Sequence, residues 1–240
     1  MVIYFHNPVR KIALILAFLF VVYSYWSYFN SSQRIQGRLA QLILLIDPGH
    51  GGVDGGTQDQ FGNLEKDINL QIALKVREQL VASGLKIIMT RENDTDLAPF
   101  RSGQRGRHRR DLLSRIEKAR FNNCLFLISI HCDSSVARER RGAVAFYNYR
   151  SDESKQLALL LQDELNKVQQ APAKAAPGKY LIIRQSGVNS VLLEVGFLSN
   201  PEEAKLLQDP DYQQQLAAAI AKGILKYCQK YVPAKPSDCG

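Results

Sequence analysis

The 240-residue sequence predicts an α/β fold: a single domain on a twisted, mainly parallel sheet flanked by helices on both faces, preceded by an N-terminal transmembrane or signal-anchor helix. Three observations carry this expectation. Short, continuously apolar runs such as LILLID and CLFLISI read as strands buried on both faces. Stretches with apolar residues three or four apart alternate with them, which is the pattern of strands joined by crossover helices. The first thirty residues are of another kind, basic and then apolar.

That N-terminal segment comes first. Arg10 and Lys11 precede an apolar run from Ile12 to Phe29, broken only by Ser24, Ser27 and tyrosines. Signal peptides and anchors both begin in this way. The run matches the roughly 20 residues of a membrane span, and its end is aromatic (Tyr23, Tyr25, Trp26, Tyr28, Phe29), as at a membrane interface. Arg10 and Lys11 would stay on the cytoplasmic side with His6, and the rest of the chain would lie outside, anchored or, if the segment is cleaved, secreted. A buried core helix is the alternative. Residues 31–41, SSQRIQGRLAQ, are polar and read as a linker, so residues 42–231 are expected as the folded unit and 232–240 as a frayed tail.

Within that unit LILLID (42–47) is a strand ending in a Gly-rich turn. Leu64 to Ser83 carries Ile68, Ile72, Val76 and Leu80 at helical spacing, and Gly84 stops it. LKIIMT (85–90) is a second strand, RSGQRGRHRR (101–110) a basic loop, and Asp111 to Asn122 a helix through Leu112, Leu113, Ile116 and Ala119. CLFLISI (124–130) and GAVAFYNY (142–149) are strands, Ser151 to Val168 a helix, and the Ala/Pro stretch 171–178 a loop. KYLII (179–183) and SVLLEVG (190–196) read as short strands. Asn200-Pro201-Glu202-Glu203 has a helix start's order, an Asn cap followed by Pro at the first helical position. Asp211 to Tyr231 is the last helix.

Composition narrows the function only broadly. A net charge of +8 suits an anionic partner, whether nucleic acid, anionic lipid or anionic wall polymer, or simply a solvated basic surface. Cys124, Cys132, Cys228 and Cys239 have no CxxC or finger-like spacing, which argues against a structural zinc knot. Cys124 and Cys132 read as small core residues and Cys239 as a thiol in a polar tail. GxGxxG from Gly49 would need a glycine where Asp54 stands. There is no P-loop, no GxSxG elbow and no HExxH.

Two histidines stand apart. His50 and His131 each immediately follow an apolar strand, LILLIDPGH and CLFLISIH. Sites in open α/β sheets form beyond the carboxyl ends of the strands, so the two form a candidate metal pair. His108, among arginines, reads as solvated. Glu65 opens the first long helix and could return to His50, but its position equally fits a surface carboxylate at a helix start. Glu194 lies inside SVLLEVGF, and a glutamate buried there without a partner has its pKa raised towards the range of a general base. A buried salt bridge, with Arg115 as the candidate partner, is the other reading. Asp47 at the first strand's end is either a group that orients His50 or plain turn chemistry.

Together the segments IDPGHGGVDGG, LEKDINLQIA, TREND, SRIEKA, LISIHCDSS and LLEVGFLSNPEEAKLL resemble the zinc-dependent N-acetylmuramoyl-L-alanine amidases of the type-3 class over roughly residues 42–230. The resemblance implies a twisted sheet flanked by helices. It implies one zinc ion on His50, Glu65 and His131, and Glu194 as catalytic base. It also implies peptidoglycan as substrate, cut at the amide between N-acetylmuramic acid and L-alanine, and excludes a nucleic-acid role. The anchor-like N-terminus, the arginine-rich stretch and the C-terminal run look like the sporulation amidases that help to make muramic-δ-lactam in spore cortex, which implies a muramic acid deacetylase in the same pathway. One departure is Asp133, where the family usually has asparagine; it adds a carboxylate that could alter zinc affinity or substrate contacts. Arg115 in SRIEKA is a candidate supporting residue. A non-catalytic wall-binding protein on the same fold, or a zinc carboxypeptidase trimming stem peptides, are the readings that compete.

Overall fold

The computed structural model describes residues 8–98 and 106–232. His6, Cys239, the start of the basic loop and nearly all of the expected tail lie outside them. Helix α1 (Pro8–Leu39) contains the apolar run, of which Ile12–Ser31 has a mean hydropathy of 1.9 and buries none of its residues in the protein. The helix continues through the segment expected as a linker. Extending an existing helix adds a hydrogen bond for each residue fixed, whereas starting one does not, so polar residues with adequate helix propensity simply prolong it. Leu39 at its end is buried in the domain core.

The rest is a six-stranded sheet in the order β2-β1-β3-β6-β4-β5. Its strands are β1 (Ile43–Pro48), β2 (Lys86–Met89), β3 (Phe126–Asp133), β4 (Val144–Tyr147), β5 (Ala176–Pro177) and β6 (Asn189–Phe197). Every pairing is parallel except β4 with β6, which is antiparallel. Side chains alternate between the two faces. Leu44, Ile46, Ile128, Ile130, Val191 and Leu193 face one core with α2 (Glu65–Ala82), α4 (Asp152–Leu165), α6 (Pro201–Gln208) and α7 (Pro210–Tyr231). Leu45, Leu127 and Leu192 face the other with α3 (Arg107–Phe121) and α5 (Leu181–Arg184). Both faces are covered, as the apolar strands require.

The helix start at Asn200 is as expected: its side chain accepts from the backbone N–H of Glu202 and of Glu203. Two local readings change. Helix α3 starts at Arg107, so the end of the basic stretch is helical. Residues 179–183 are not a strand. The strand at that edge is Ala176–Pro177 within the expected loop, and Leu181–Arg184 is a helical turn. A run of four apolar residues has no period of its own. Here Ile182 and Ile183 are both buried beneath the sheet, which a single turn of helix achieves. Cys124, Cys132 and Cys228 are buried thiols.

Candidate metal centre and catalytic cavity

The chain reverses its direction of winding between β1 and β3, which are neighbours. Ligand sites form at the carboxyl ends of strands at such a switch. Here His50 follows β1, His131 closes β3, and Glu194 stands opposite His131 on β6. Glycine makes the approach possible. The His131 ring lies over Gly49, where a Cβ would meet ring atoms at 2.2 to 2.5 Å. At Gly56 (φ 68°) a Cβ would meet Glu65 Oε2 at 2.4 Å.

Glu65, the first residue of α2, is turned inward and 4% exposed. Its Oε1 lies 3.2 Å from His50 Nε2 and 3.0 Å from His131 Nδ1. Backbone N–H groups of Thr57 and Cys132 and the Asn69 side chain donate to the same carboxylate. Burial opposes its charge, but the two imidazoles hold its pKa far below the usual carboxylate range. One ligand atom from each of His50, Glu65 and His131 falls within 4.8 Å of the others.

The His50 backbone is strained, with φ at 60° in the left-handed region. Two arginines hold it there. Arg91 donates to the carbonyls of Pro48, Gly49, His50 and Lys66. Arg115 donates to the carbonyls of Pro48 and His50 at 2.8 and 2.6 Å. The charge of Arg115 is met by Asp47 and Asp111, at 2.7 and 2.6 Å. Asp47 also accepts from Thr90 and Ser129 and is fully buried. Burial opposes its ionisation, yet Arg115 and the two hydroxyls keep its pKa below the ordinary value. So Arg115 is not the partner of Glu194, because α3 carries it to the β1 turn. Asp47 reaches His50 through Arg115 and the backbone rather than through the imidazole. The group beside that ring is Asp54, 3.0 Å from His50 Nδ1 but off hydrogen-bond alignment. Asp54 also meets His108 at 3.3 Å. His108 is 66% exposed, as a solvated histidine should be, yet it sits on the first turn of α3 at the rim of the cavity.

A cavity of about 500 Å³ opens over these residues. His50, Glu65, His131, Asp133 and Glu194 form its polar end, and Leu112, Leu181, Ile182 and Leu192 its apolar wall. Glu194 is 6% exposed, and its Oε2 is buried with no hydrogen-bond partner. Burial, then the nearby charges of Asp133 and Glu65, push its pKa well above that of an ordinary glutamate. Tyr180 lines the same cavity. Tyr180 and Arg91 received no role from the sequence. Arg91 lies in the TREND segment, but its targets are backbone oxygens, which no side-chain pattern reveals.

The donor set fits a zinc ion: two imidazoles and one carboxylate converge where all three residues line the cavity. The family profile described as N-acetylmuramoyl-L-alanine amidase matches residues 44–226. The chain is 37% identical to the germination-specific N-acetylmuramoyl-L-alanine amidase of Bacillus subtilis over 92% of its own length and 95% of that protein's. Among solved structures it is similar to the CwlD amidase of Clostridioides difficile, determined in complex with the GerS lipoprotein. That likeness has a TM-score of 0.74 and 35% identity, and covers 79% of this chain and 99% of that one. It is also similar to the catalytic domain of CwlV, an N-acetylmuramoyl-L-alanine amidase from Bacillus (Paenibacillus) polymyxa, with a TM-score of 0.70 and 30% identity over 79% of this chain and 99% of that one.

Proposed function

The chain belongs to the N-acetylmuramoyl-L-alanine amidase family, and from that premise we propose that its cavity cuts the amide between N-acetylmuramic acid and L-alanine of peptidoglycan with zinc held by His50, Glu65 and His131 and with Glu194 as the base. The observation that carries the assignment of residues is the meeting of three ligand atoms within 4.8 Å beside a buried carboxylate with an unpartnered oxygen. When bound, zinc supplies Lewis acidity at the carbonyl and lowers the pKa of water. Glu194 accepts the proton of the attacking water and returns it to the departing L-alanine amine, which must be protonated to leave. Its raised pKa suits both halves of that transfer. Asp47, Arg91 and Arg115 do no chemistry; they hold the 48–50 backbone so that the His50 ring points at the cavity. Asp133, on the cavity wall, faces the substrate and bears on the charge of Glu194.

The enzyme acts outside the cytoplasm, where its substrate is. We propose that α1 anchors it there through Ile12–Ser31, with residues 42–231 as the catalytic unit. The germination-specific relative supports spore-cortex peptidoglycan as the wall in question. Muramic acid freed of its peptide is the material from which muramic-δ-lactam is made, and a deacetylase acting on the same residue belongs in that sequence of reactions.

The test is Glu194→Gln. Purified peptidoglycan is digested, and new L-alanine N-termini are counted alongside mass spectrometry of the muropeptides. Wild type detaches whole stem peptides, and the variant releases them at least about 100-fold more slowly. Normal release by the variant refutes the base, trimmed stems refute the amidase reading, and release that survives a strong chelator refutes the metal.

A further inference from the structure

The catalytic cavity does not end at the metal centre. Past Asp133 the chain lines a second cavity of about 560 Å³, and Ser134 borders both. The consecutive residues Thr57 and Gln58 likewise span the two, Thr57 lining the first and Gln58 the second. The volume falls in the range of ligand sites, about 300–1,000 Å³. The loops around it are tied down. Ser135 N–H donates to Ser199 Oγ at 2.9 Å and Leu198 N–H to Asp133 O at 2.9 Å, so the loop after β3 is fastened to the turn after β6. On the loop before α2, Asp59 is 4% exposed, and its carboxylate accepts from the N–H groups of Phe61 and Asn63 and from the Asn63 side chain. That acid is spent on shaping the turn. What faces a ligand is Gln58, Gln60 and Ser134, neutral groups that both donate and accept, and the guanidinium of Arg138, all four solvent-exposed. Val136 and Pro201 add exposed apolar surface.

We infer that this second cavity is a glycan subsite: it holds an N-acetylhexosamine of the strand beside the muramic acid whose amide is cut. The inference rests on the amidase reading and names where the polymer runs. A peptidoglycan strand continues past the reacting sugar, and while its lactyl groups are in amide linkage it is uncharged and presents hydroxyl and acetamide groups. Side-chain amides, a hydroxyl and a guanidinium can donate to or accept from all of these, and the apolar surface of Val136 and Pro201 suits the C–H face of a pyranose. The first cavity offers no such match, because its wall away from the metal centre is Leu112, Leu181, Ile182 and Leu192. The stem peptide, which carries free carboxylates, is the poorer fit to a wall whose ligand-facing groups are neutral but for one arginine.

The test uses the full chain loaded with zinc and two substrates that carry the same amide and the same stem peptide: a glycan strand of several disaccharide units, and a single N-acetylmuramoyl peptide. Gln60→Ala combined with Arg138→Ala removes two exposed side chains from the second cavity. Each lost hydrogen bond is worth about 2- to 10-fold, so the ratio of kcat/KM for the strand to kcat/KM for the single muramoyl peptide should fall about 4- to 100-fold, with zinc content and melting temperature as in wild type. An N-acetylglucosamine tetramer, which has no peptide, should inhibit cleavage of the strand by the wild-type enzyme competitively. An unchanged ratio overturns the inference. So does an equal loss on both substrates, which would place the peptide in this cavity, and so does a tetramer that does not inhibit. Wild-type enzyme that cuts the amide in neither substrate refutes the amidase reading itself, whereas cleavage of both with an unchanged ratio refutes only the subsite.

Discussion

Replacing Arg115 with methionine isolates the buried ion pair beneath the candidate metal centre. Arg115 is 1% exposed and Asp47 0% exposed, so neither charge is relieved by solvent. The substitution leaves the Asp47 carboxylate with only Thr90 and Ser129, removes the charge partner of Asp111, which keeps the N–H groups of Leu97 and Ala98, and strips donors from the carbonyls of Pro48 and His50. Removing one partner of a buried pair costs about 3–5 kcal/mol, because the other charge stays buried and uncompensated. For a domain of this size each kcal/mol moves the melting temperature by about 2–4 °C, so a fall of about 6–20 °C is expected. The pH dependence has a definite sign. The Asp47 pKa is depressed in the folded protein, so its stabilising contribution is fully present above the unfolded value near 4 and is lost as pH falls through the folded one. Without Arg115 the folded pKa rises, and the deficit of the variant narrows as the pH drops below that value and Asp47 protonates. Asp47→Asn in the Arg115→Met background should recover part of the loss at pH 7. Calorimetry at pH 7 and pH 4 decides: an Arg115→Met protein melting within about 2 °C of wild type at pH 7 would show that the pair does not hold the turn.

Other outcomes follow from the same geometry. Gly49→Ala places a methyl group 2.2 to 2.5 Å from His131 ring atoms, so the ring must move; zinc affinity measured by competition with a chelating dye should fall at least about tenfold. In the metal-free protein the carboxylates of Asp54 and Glu65 outweigh burial and raise His50 to about 9. Zinc must displace that proton, so its apparent affinity should rise by up to about tenfold per pH unit between pH 7 and 9. Calorimetric titrations in buffers of different ionisation heat count the protons released, and a pH-independent affinity would refute the assignment of His50. Gly223→Leu drives a side chain into Leu161, whose Cα would lie 2.9 Å from the first added carbon, and should cost about 1–3 kcal/mol in urea unfolding with kcat unchanged.

The sequence by itself determined the elements governed by short-range rules. Apolar runs with no alternation are strands covered on both faces, and LILLID and CLFLISI become β1 and β3 with neighbours on each side. Because such strands deliver their carboxyl ends to one edge, His50 and His131 could be placed together without coordinates. Glu194 could be singled out because a lone charge in an apolar strand needs a reason. Tertiary structure decided what depends on which distant surfaces meet. Arg115 chose Asp47 over Glu194 because α3 packs on the face beneath the β1 turn. Glu65 turned inward because Thr57, Asn69 and Cys132, from three different segments, donate to it. Tyr180 reached the cavity only because residues 179–183 forgo the extended form their composition favours, a choice made by the space beneath β6 rather than by local propensity. Alternation and periodicity report which side of an element is buried, whereas the partner found on that side is set by chain topology, and the chemistry of this cavity depends on those partners.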